Sequence, residues 1–205
     1  MIIGIQISHV FDKDVTVPFF VGGSAMEGED YTLSASPAVI PAGQRTTTIT
    51  LSLVDDSLHE PDEMVMVFME IPLNAEKGEP DVHTATIFDD DPTPSVSFFI
   101  AGSSGGESVG TINLQVDLKG ISALPVTVDY RATGVTATGG FNDYFLAPGT
   151  LTFEPGETSK KIVLTVIDDS TNETTETLDI VLSNVSSADL GPISTYTYII
   201  IDNDG

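Results

Sequence analysis

Residues 46 to 56 read Thr46-Thr47-Thr48-Ile49-Thr50-Leu51-Ser52-Leu53-Val54-Asp55-Asp56. Ile49, Leu51 and Leu53 alternate with Thr48, Thr50 and Ser52, the period of two that turns one face of a strand to a core and the other to water. A shift of 113 residues lands on Ser159 to Asp169, where Ile162, Leu164 and Val166 alternate with Val163 and Thr165 and the acidic pair becomes Asp168-Asp169. The same shift carries Asp30-Tyr31 to Asp143-Tyr144, Gly43 to Gly156, Glu60 to Glu173, Glu63 to Glu176, and Asp89-Asp90-Asp91 to Asp202-Asn203-Asp204. Val65, Val67 and Met69 map onto Leu178, Ile180 and Leu182. One offset shared by apolar, acidic, aromatic and glycine positions marks two homologous domains in tandem. The short Pro92-Thr93-Pro94 linker places them at 1–92 and 93–205.

Enrichment in Thr, Val and Ile, punctuation by Gly, Pro and Asp, and the lack of a sustained 3.6-residue period make the class all-β. About seven short strands per domain, each with one buried face, fit two tandem immunoglobulin-like antiparallel β-sandwiches. In the second domain the pattern predicts strands at 95–101, 109–118, 125–132, 144–153, 158–167, 176–183 and 194–201.

The chain of 205 residues carries 31 acidic against 7 basic side chains, a formal charge of -24, with 40% hydrophobic residues. That apolar fraction suffices for a core, and a surface so negative repels phosphate backbones and anionic headgroups, which argues against nucleic-acid binding and membrane insertion. Absence of cysteine excludes disulfide scaffolds, thiolate zinc sites and cysteine nucleophiles. The longest apolar runs, such as Tyr198 to Ile201, fall far short of a bilayer span, and the first residues lack a signal peptide's basic region. No pairing of nucleophile and base is visible, so the chain reads as a non-enzyme.

The acids are concentrated. Asp30 precedes a strand, Asp55 to Glu63 forms a loop, and Asp89-Asp90-Asp91 follows the domain's last strand; with Asp62 these loops can converge at one pole. Glu107, Asp143, Asp168, Asp169, Glu173, Glu176, Asp202 and Asp204 form the second set. Each close carboxylate pair costs about 1–4 kcal/mol unless neutralised. Many loop carboxylates without convergent His or Cys suit Ca²⁺, which takes six to eight oxygens in flexible geometry, better than Mg²⁺.

The ordered series Asp-Tyr, then Pro41-Ala42-Gly43 or Pro155-Gly156-Glu157, then Asp-Asp followed by two glutamates, then a strand ending Ile87-Phe88-Asp89-Asp90-Asp91 or Ile201-Asp202-Asn203-Asp204, resembles Calx-β domains over nearly the whole chain. The resemblance implies an immunoglobulin-like sandwich binding Ca²⁺ at one pole, as in the regulatory loop of sodium-calcium exchangers and in large extracellular adhesion proteins. Carried over by motif, the ligands are Asp30, Asp55, Asp56, Glu60, Glu63, Asp89, Asp90 and Asp91 in the first domain. In the second they are Asp143, Asp168, Asp169, Glu173, Glu176, Asp202 and Asp204, with Glu107 matching the family's glutamate near the first strand.

Two positions depart from the pattern. Asn203 replaces the middle aspartate, which removes a charge and keeps a carbonyl oxygen, so weaker ion occupancy is expected. Val15-Thr16-Val17 matches Val126-Thr127-Val128 at a shift of 111, which puts any counterpart of Glu107 before residue 1; the first domain is therefore expected to lack its opening strand and to present an unpaired edge.

Other readings carry less. Asp202-Asn203-Asp204-Gly205 has the start of an EF-hand loop without its helices or later glutamate. His9, His59 and His83 are scattered, and His59 reads as a solvent-facing neighbour of the acids. Asn172-Glu173-Thr174 and Asn184-Val185-Ser186 fit the glycan-acceptor triplet, a pattern frequent in Ser/Thr-rich chains. Tyr31 and Tyr144 are expected to anchor the acidic loops by packing. Functionally the sequence favours Ca²⁺-stiffened modules of an extracellular or cell-surface adhesion-type protein, with neighbouring domains of the same chain and protein or cell-surface partners. The alternative is a cytosolic Ca²⁺ sensor region of an exchanger-like transporter.

Overall fold

The computed structural model describes residues 1–204, and among them there are strands, turns and one 3₁₀ turn, Glu107–Val109, with no α-helix. No helix there is long and apolar enough to cross a membrane. Contacts divide the chain into two compact units, residues 1–56 with 61–90, and residues 57–60 with those from Asp91 on. In chain order the strands are β1 (Ile2–Gln6), β2 (Val15–Val17), β3 (Phe19–Gly23), β4 (Tyr31–Leu33), β5 (Ala38–Ile40), β6 (Thr46–Leu53), β7 (Leu58–His59), β8 (Glu63–Met69) and β9 (Val82–Ile87). They continue as β10 (Ser95–Phe98), β11 (Gly102–Gly106), β12 (Thr111–Lys119), β13 (Ile121–Ser122), β14 (Val126–Gly134), β15 (Tyr144–Phe145), β16 (Gly149–Phe153), β17 (Ser159–Val166), β18 (Glu176–Ser186), β19 (Asp189–Leu190) and β20 (Thr195–Ile201).

The second unit is a β-sandwich of two five-stranded sheets, ordered β15-β17-β12-β10-β19 and β11-β20-β18-β14-β16. The alternation in β17 works as expected: Ile162, Leu164 and Val166 are buried, and meet Val96, Phe98, Leu114 and Val116 from their own sheet and Val128, Leu178, Ile180 and Tyr198 from the other. Pairing is antiparallel except for β10 on β19 and β11 on β20. β7 also runs parallel to β13.

The stretch expected as one strand at 144–153 is two. Tyr144–Phe145 pairs with β17 in one sheet and Gly149–Phe153 with β14 in the other, because Pro148 lacks the N–H a continuous ladder needs and the chain crosses between sheets there. β11 was not expected at all, since Gly-Ser-Ser-Gly-Gly has no strand propensity. It forms because the chain must lie tight against β20: a Cβ on Gly102 would sit 2.3 Å from the Thr197 carbonyl oxygen, and one on Gly105 2.3 Å from the Tyr198 hydroxyl.

In the first unit the sheets are β1-β6-β4, β2-β5 and β3-β8-β9, around a core of Ile3, Ile5, Val15, Val17, Ile49, Leu51 and Val65. β14 of the second unit is divided here into β2 and β3 by Pro18, which stands where β14 carries an irregularity in register between Thr127 and Asp129. Leu53, expected in the core, is 60% exposed. Its counterpart Val166 is covered by the end of the 3₁₀ turn, where its N–H donates to the Gly110 carbonyl at 2.7 Å, and among the described residues no such turn stands beside Leu53.

Candidate metal-binding site

In both halves one backbone device sets the first aspartate beside the acidic loop. The N–H of Val54 donates to the Asp30 carbonyl at 2.9 Å, and that of Ile167 to the Asp143 carbonyl at 3.0 Å, each from the residue just before the Asp-Asp pair. The carboxylates fold back onto their own turns: Asp30 Oδ2 accepts from the Met26 N–H at 2.5 Å, and Asp143 Oδ2 from the Thr138 N–H. Tyr31 and Tyr144, next in sequence, are buried in the two cores and pin this geometry by packing, with their phenols pushed up by that burial.

In the second unit two groups of carboxylates place oxygens within 4.8 Å of one another: Glu107 with Asp169 and Asp204, and Asp143 with Glu173 and Glu176. Glu107 arrives on the 3₁₀ turn and is only 5% exposed; Asp143 is 9% exposed. Glu173 comes from the loop after β17, Glu176 opens β18, and Asp202 and Asp204 follow β20. Backbone donors hold this arrangement: the Glu173 N–H donates to Asp202 Oδ2 and the Asp204 N–H to Asp202 Oδ1, both at 3.2 Å. The Thr171 N–H reaches Asp169 Oδ1 at 2.6 Å, and the Asn172 side chain donates to the Asp204 carbonyl at 2.8 Å.

The electrostatics are those of negative charge out of water and without a counterion. Burial, then the charges of Asp202, Glu173, Asp169 and Asp204, pushes Glu107 above the usual carboxylate range. Glu173 is raised by desolvation and by Asp143, Asp169 and Asp202. Glu176 goes furthest, to about 7, through desolvation first and then its hydrogen bond with Asp143 and the charges of Asp143, Glu173 and Glu107. Among the described residues two buried oxygens, Glu176 Oε2 and Asp204 Oδ2, have no hydrogen-bond partner. A buried acceptor left unpaired is costly, and a hard cation seated among these oxygens would satisfy both.

Of the residues singled out from sequence, Asp55, Asp56, Asp89, Asp90, Asp91, Asp168 and Asp202 belong to neither group. Asp202 organises the loops through its backbone partners, and the Asp89 N–H donates to Asp62 Oδ1 at 3.2 Å. The Asn203 side-chain amide nitrogen donates to Asp168 Oδ1 at 3.2 Å, so a donor stands beside that carboxylate. Asn172 drew notice in the sequence only as a glycan acceptor, and its role in tying the loop after β17 to residue 204 carries no local sequence signal.

A pair of β-sandwiches bearing clustered, partly buried loop carboxylates without histidine or cysteine defines a class of modules suited to hard divalent cations. The chain belongs to the Calx-beta family: the Calx-beta domain model matches residues 3–91 and again 89–204. Domains of this family are non-catalytic modules that bind Ca²⁺. Similar proteins include sodium/calcium exchanger 1 of Bos taurus, 29% identical over 173 residues, covering 76% of this chain and 18% of the exchanger. Sodium/calcium exchanger 3 of Mus musculus is 30% identical over 172 residues, covering 74% of this chain and 18% of that protein. The chain thus spans about a fifth of these relatives. Among solved structures, the apo-form Calx CBD1 domain aligns with a TM-score of 0.52 at 27% identity, covering 55% of this chain and all of the other.

Proposed function

We propose that the chain is a Ca²⁺-responsive regulatory region, in which Ca²⁺ binds the carboxylate groups of each domain and orders the loops that carry them. The observation that carries this reading is the pair of buried, unpartnered oxygens on Glu176 and Asp204, one in each of two carboxylate groups whose members repel one another until a cation joins them. Glu107, Asp143, Asp169, Glu173, Glu176 and Asp204 would hold Ca²⁺ in the second domain, with Asp168 and Asp202 beside them. In the first, the family motif suggests Asp30, Asp55, Asp56, Glu60, Glu63, Asp89, Asp90 and Asp91 as ligands. Ca²⁺ supplies the positive charge that lets the loops after β17 and β20 close together. Binding to the folded state alone adds about 2.7 kcal/mol of stability at a hundredfold excess over Kd.

The exchanger relatives support a regulatory sensor over the extracellular adhesion-type module that composition first favoured. Affinity separates the two, since sensors work at about 10⁻⁷–10⁻⁵ M and extracellular modules at about 10⁻⁴–10⁻³ M. Calcium titration calorimetry on the whole chain and on Glu63→Ala and Glu173→Ala variants tests the reading. The expected result is a dissociation constant in the sensor range, with each substitution weakening one class of sites. Unchanged heats in both variants would remove the assignment, and a millimolar constant would return the adhesion-type reading.

A further inference from the structure

We infer that the outer sheet face of the first unit, formed by β5, β2, β3, β8 and β9, is a docking surface for a basic amphipathic helix of a partner protein. The two units carry these strands in the same register, so each position on one is a control for its counterpart on the other. In the first, Phe68 pairs with Phe20 on one side and Val82 on the other, and Val39 lies opposite Thr16. In the second, the matching positions are Val181 between Arg131 and Thr195, and Thr152 opposite Thr127. Met66 and Met64 likewise stand where the second unit has Asp179 and Thr177.

This face of the first unit is apolar without serving its core. Phe19, Val65 and Val67 are buried, so the alternate residues of the same strands turn outward. Phe20 is 52% and Met64 47% exposed, Val39 and Val82 are exposed, and Phe68 and Met66 are half-buried. The rings of Phe20 and Phe68 stack on each other outside the sandwich, 4.8 Å between centroids and 8° between planes. The fold does not require them, since the second unit builds the same face largely from polar residues that bond along the sheet, with the Thr197 hydroxyl donating to Asp179 Oδ1 at 2.6 Å. A contiguous apolar patch where a polar one serves the fold marks an interaction surface. The stacked pair supplies a rigid aromatic anchor and the two methionines adapt to the shape of what docks.

Charge chooses the occupant. None of β2, β3, β5, β8 and β9 carries Lys or Arg, and the row Met64, Met66, Phe68 is continued by Asp62 at one end and Glu70 at the other, both exposed. A second copy laid on this face about a two-fold axis, with the rows antiparallel, sets Asp62 of one chain against Glu70 of the other, and two chains of -24 repel at longer range as well. A helix lying along the row meets it with an apolar stripe at i, i+3, i+4 and i+7 and places Lys or Arg at its two ends, against the two acids. Asp62 and Glu70 are eight strand steps apart, about 27 Å, the length of about 18 helical residues.

The test titrates the full chain with a synthetic peptide of about 18 residues, its leucines on one helical face, its other positions Ala and Gln, and lysines at both ends. Fluorescence anisotropy of the labelled peptide reads affinity, and NMR of the methionine methyl groups reads position. One peptide is expected to bind per chain with a dissociation constant on the order of 10 μM, weakened by salt, moving the signals of Met64 and Met66 and leaving that of Met26. A peptide of the same charge with serine in place of leucine is expected not to bind. The triple variant Phe20→Arg, Met64→Thr, Met66→Asp gives the first unit the second unit's own residues; it is expected to keep the melting temperature and to bind about tenfold or more weaker. Should it melt early, Glu70→Gln reads the charge alone, with a loss of about twofold to threefold expected. No binding on the order of 1 mM, unmoved Met64 and Met66 signals, or equal binding of the serine peptide would overturn the inference. So would a dimer in sedimentation, or attachment to phosphatidylcholine vesicles, that the triple variant abolishes, since each gives the face to another occupant.

Discussion

Glu176 ties calcium binding in the second domain to a proton. In the metal-free protein its carboxyl is raised to about 7, chiefly by desolvation and then by Asp143, with which it shares a hydrogen bond. A divalent cation among these oxygens requires the ionised form, so binding expels the proton wherever it is still present. With a midpoint near 7, the metal-free pair holds about 0.9 of a proton near pH 6 and about 0.1 near pH 8. The dissociation constant in that domain is therefore about tenfold weaker near pH 6 than near pH 8, a difference of about 1.4 kcal/mol. Calorimetry in two buffers of different ionisation enthalpy counts the proton directly, and Glu176→Gln should abolish both its release and the slope. An affinity flat across this range without proton release would refute the reasoning, as would an undiminished slope in Glu176→Gln.

Further outcomes follow from the same geometry. Because the folded protein keeps a proton on Glu176 that the unfolded chain gives up near its ordinary value of 4.5, the metal-free protein loses stability as pH rises from about 4.5 through about 7. The loss is on the order of 1–3 kcal/mol after solvent screening. Thermal melts in chelator should fall between pH 5 and 8 and level out in saturating Ca²⁺; a rise with pH in chelator would contradict this. Asn203→Asp replaces the amide that donates to Asp168 with a second carboxylate, so it should lower metal-free stability by up to about 1 kcal/mol and strengthen Ca²⁺ binding, read by melts and calorimetry on the same variant. Gly23 sits at φ 127° with its would-be Cβ 2.0 Å from the Met64 carbonyl oxygen, so Gly23→Ala should cost about 2 kcal/mol or more in denaturant unfolding. Leu164→Ala, at a fully buried position between the sheets, should cost about 2–5 kcal/mol by the same measurement.

The all-β class and the duplication were legible in the sequence. A strand's two faces and a shared 113-residue offset are properties of the chain taken in order. Ile162, Leu164 and Val166 announced their burial by alternation, and Asp143-Tyr144 its role by repeating Asp30-Tyr31. Other features depended on what lies across from a residue. Leu53 has the same alternation as Val166 and yet is exposed, because among the described residues nothing covers it as the 3₁₀ turn covers Val166. β11 exists only because β20 holds it, and Tyr144 and Gly149 go to different sheets although four residues separate them from Phe145 to Pro148. Which carboxylates share oxygens, and that Glu176 and Asp204 each bury one unpaired, also follow from tertiary structure alone. Those distances join loops far apart in sequence, and desolvation, which drives the shift of Glu176, is set by the atoms that close over a group in space.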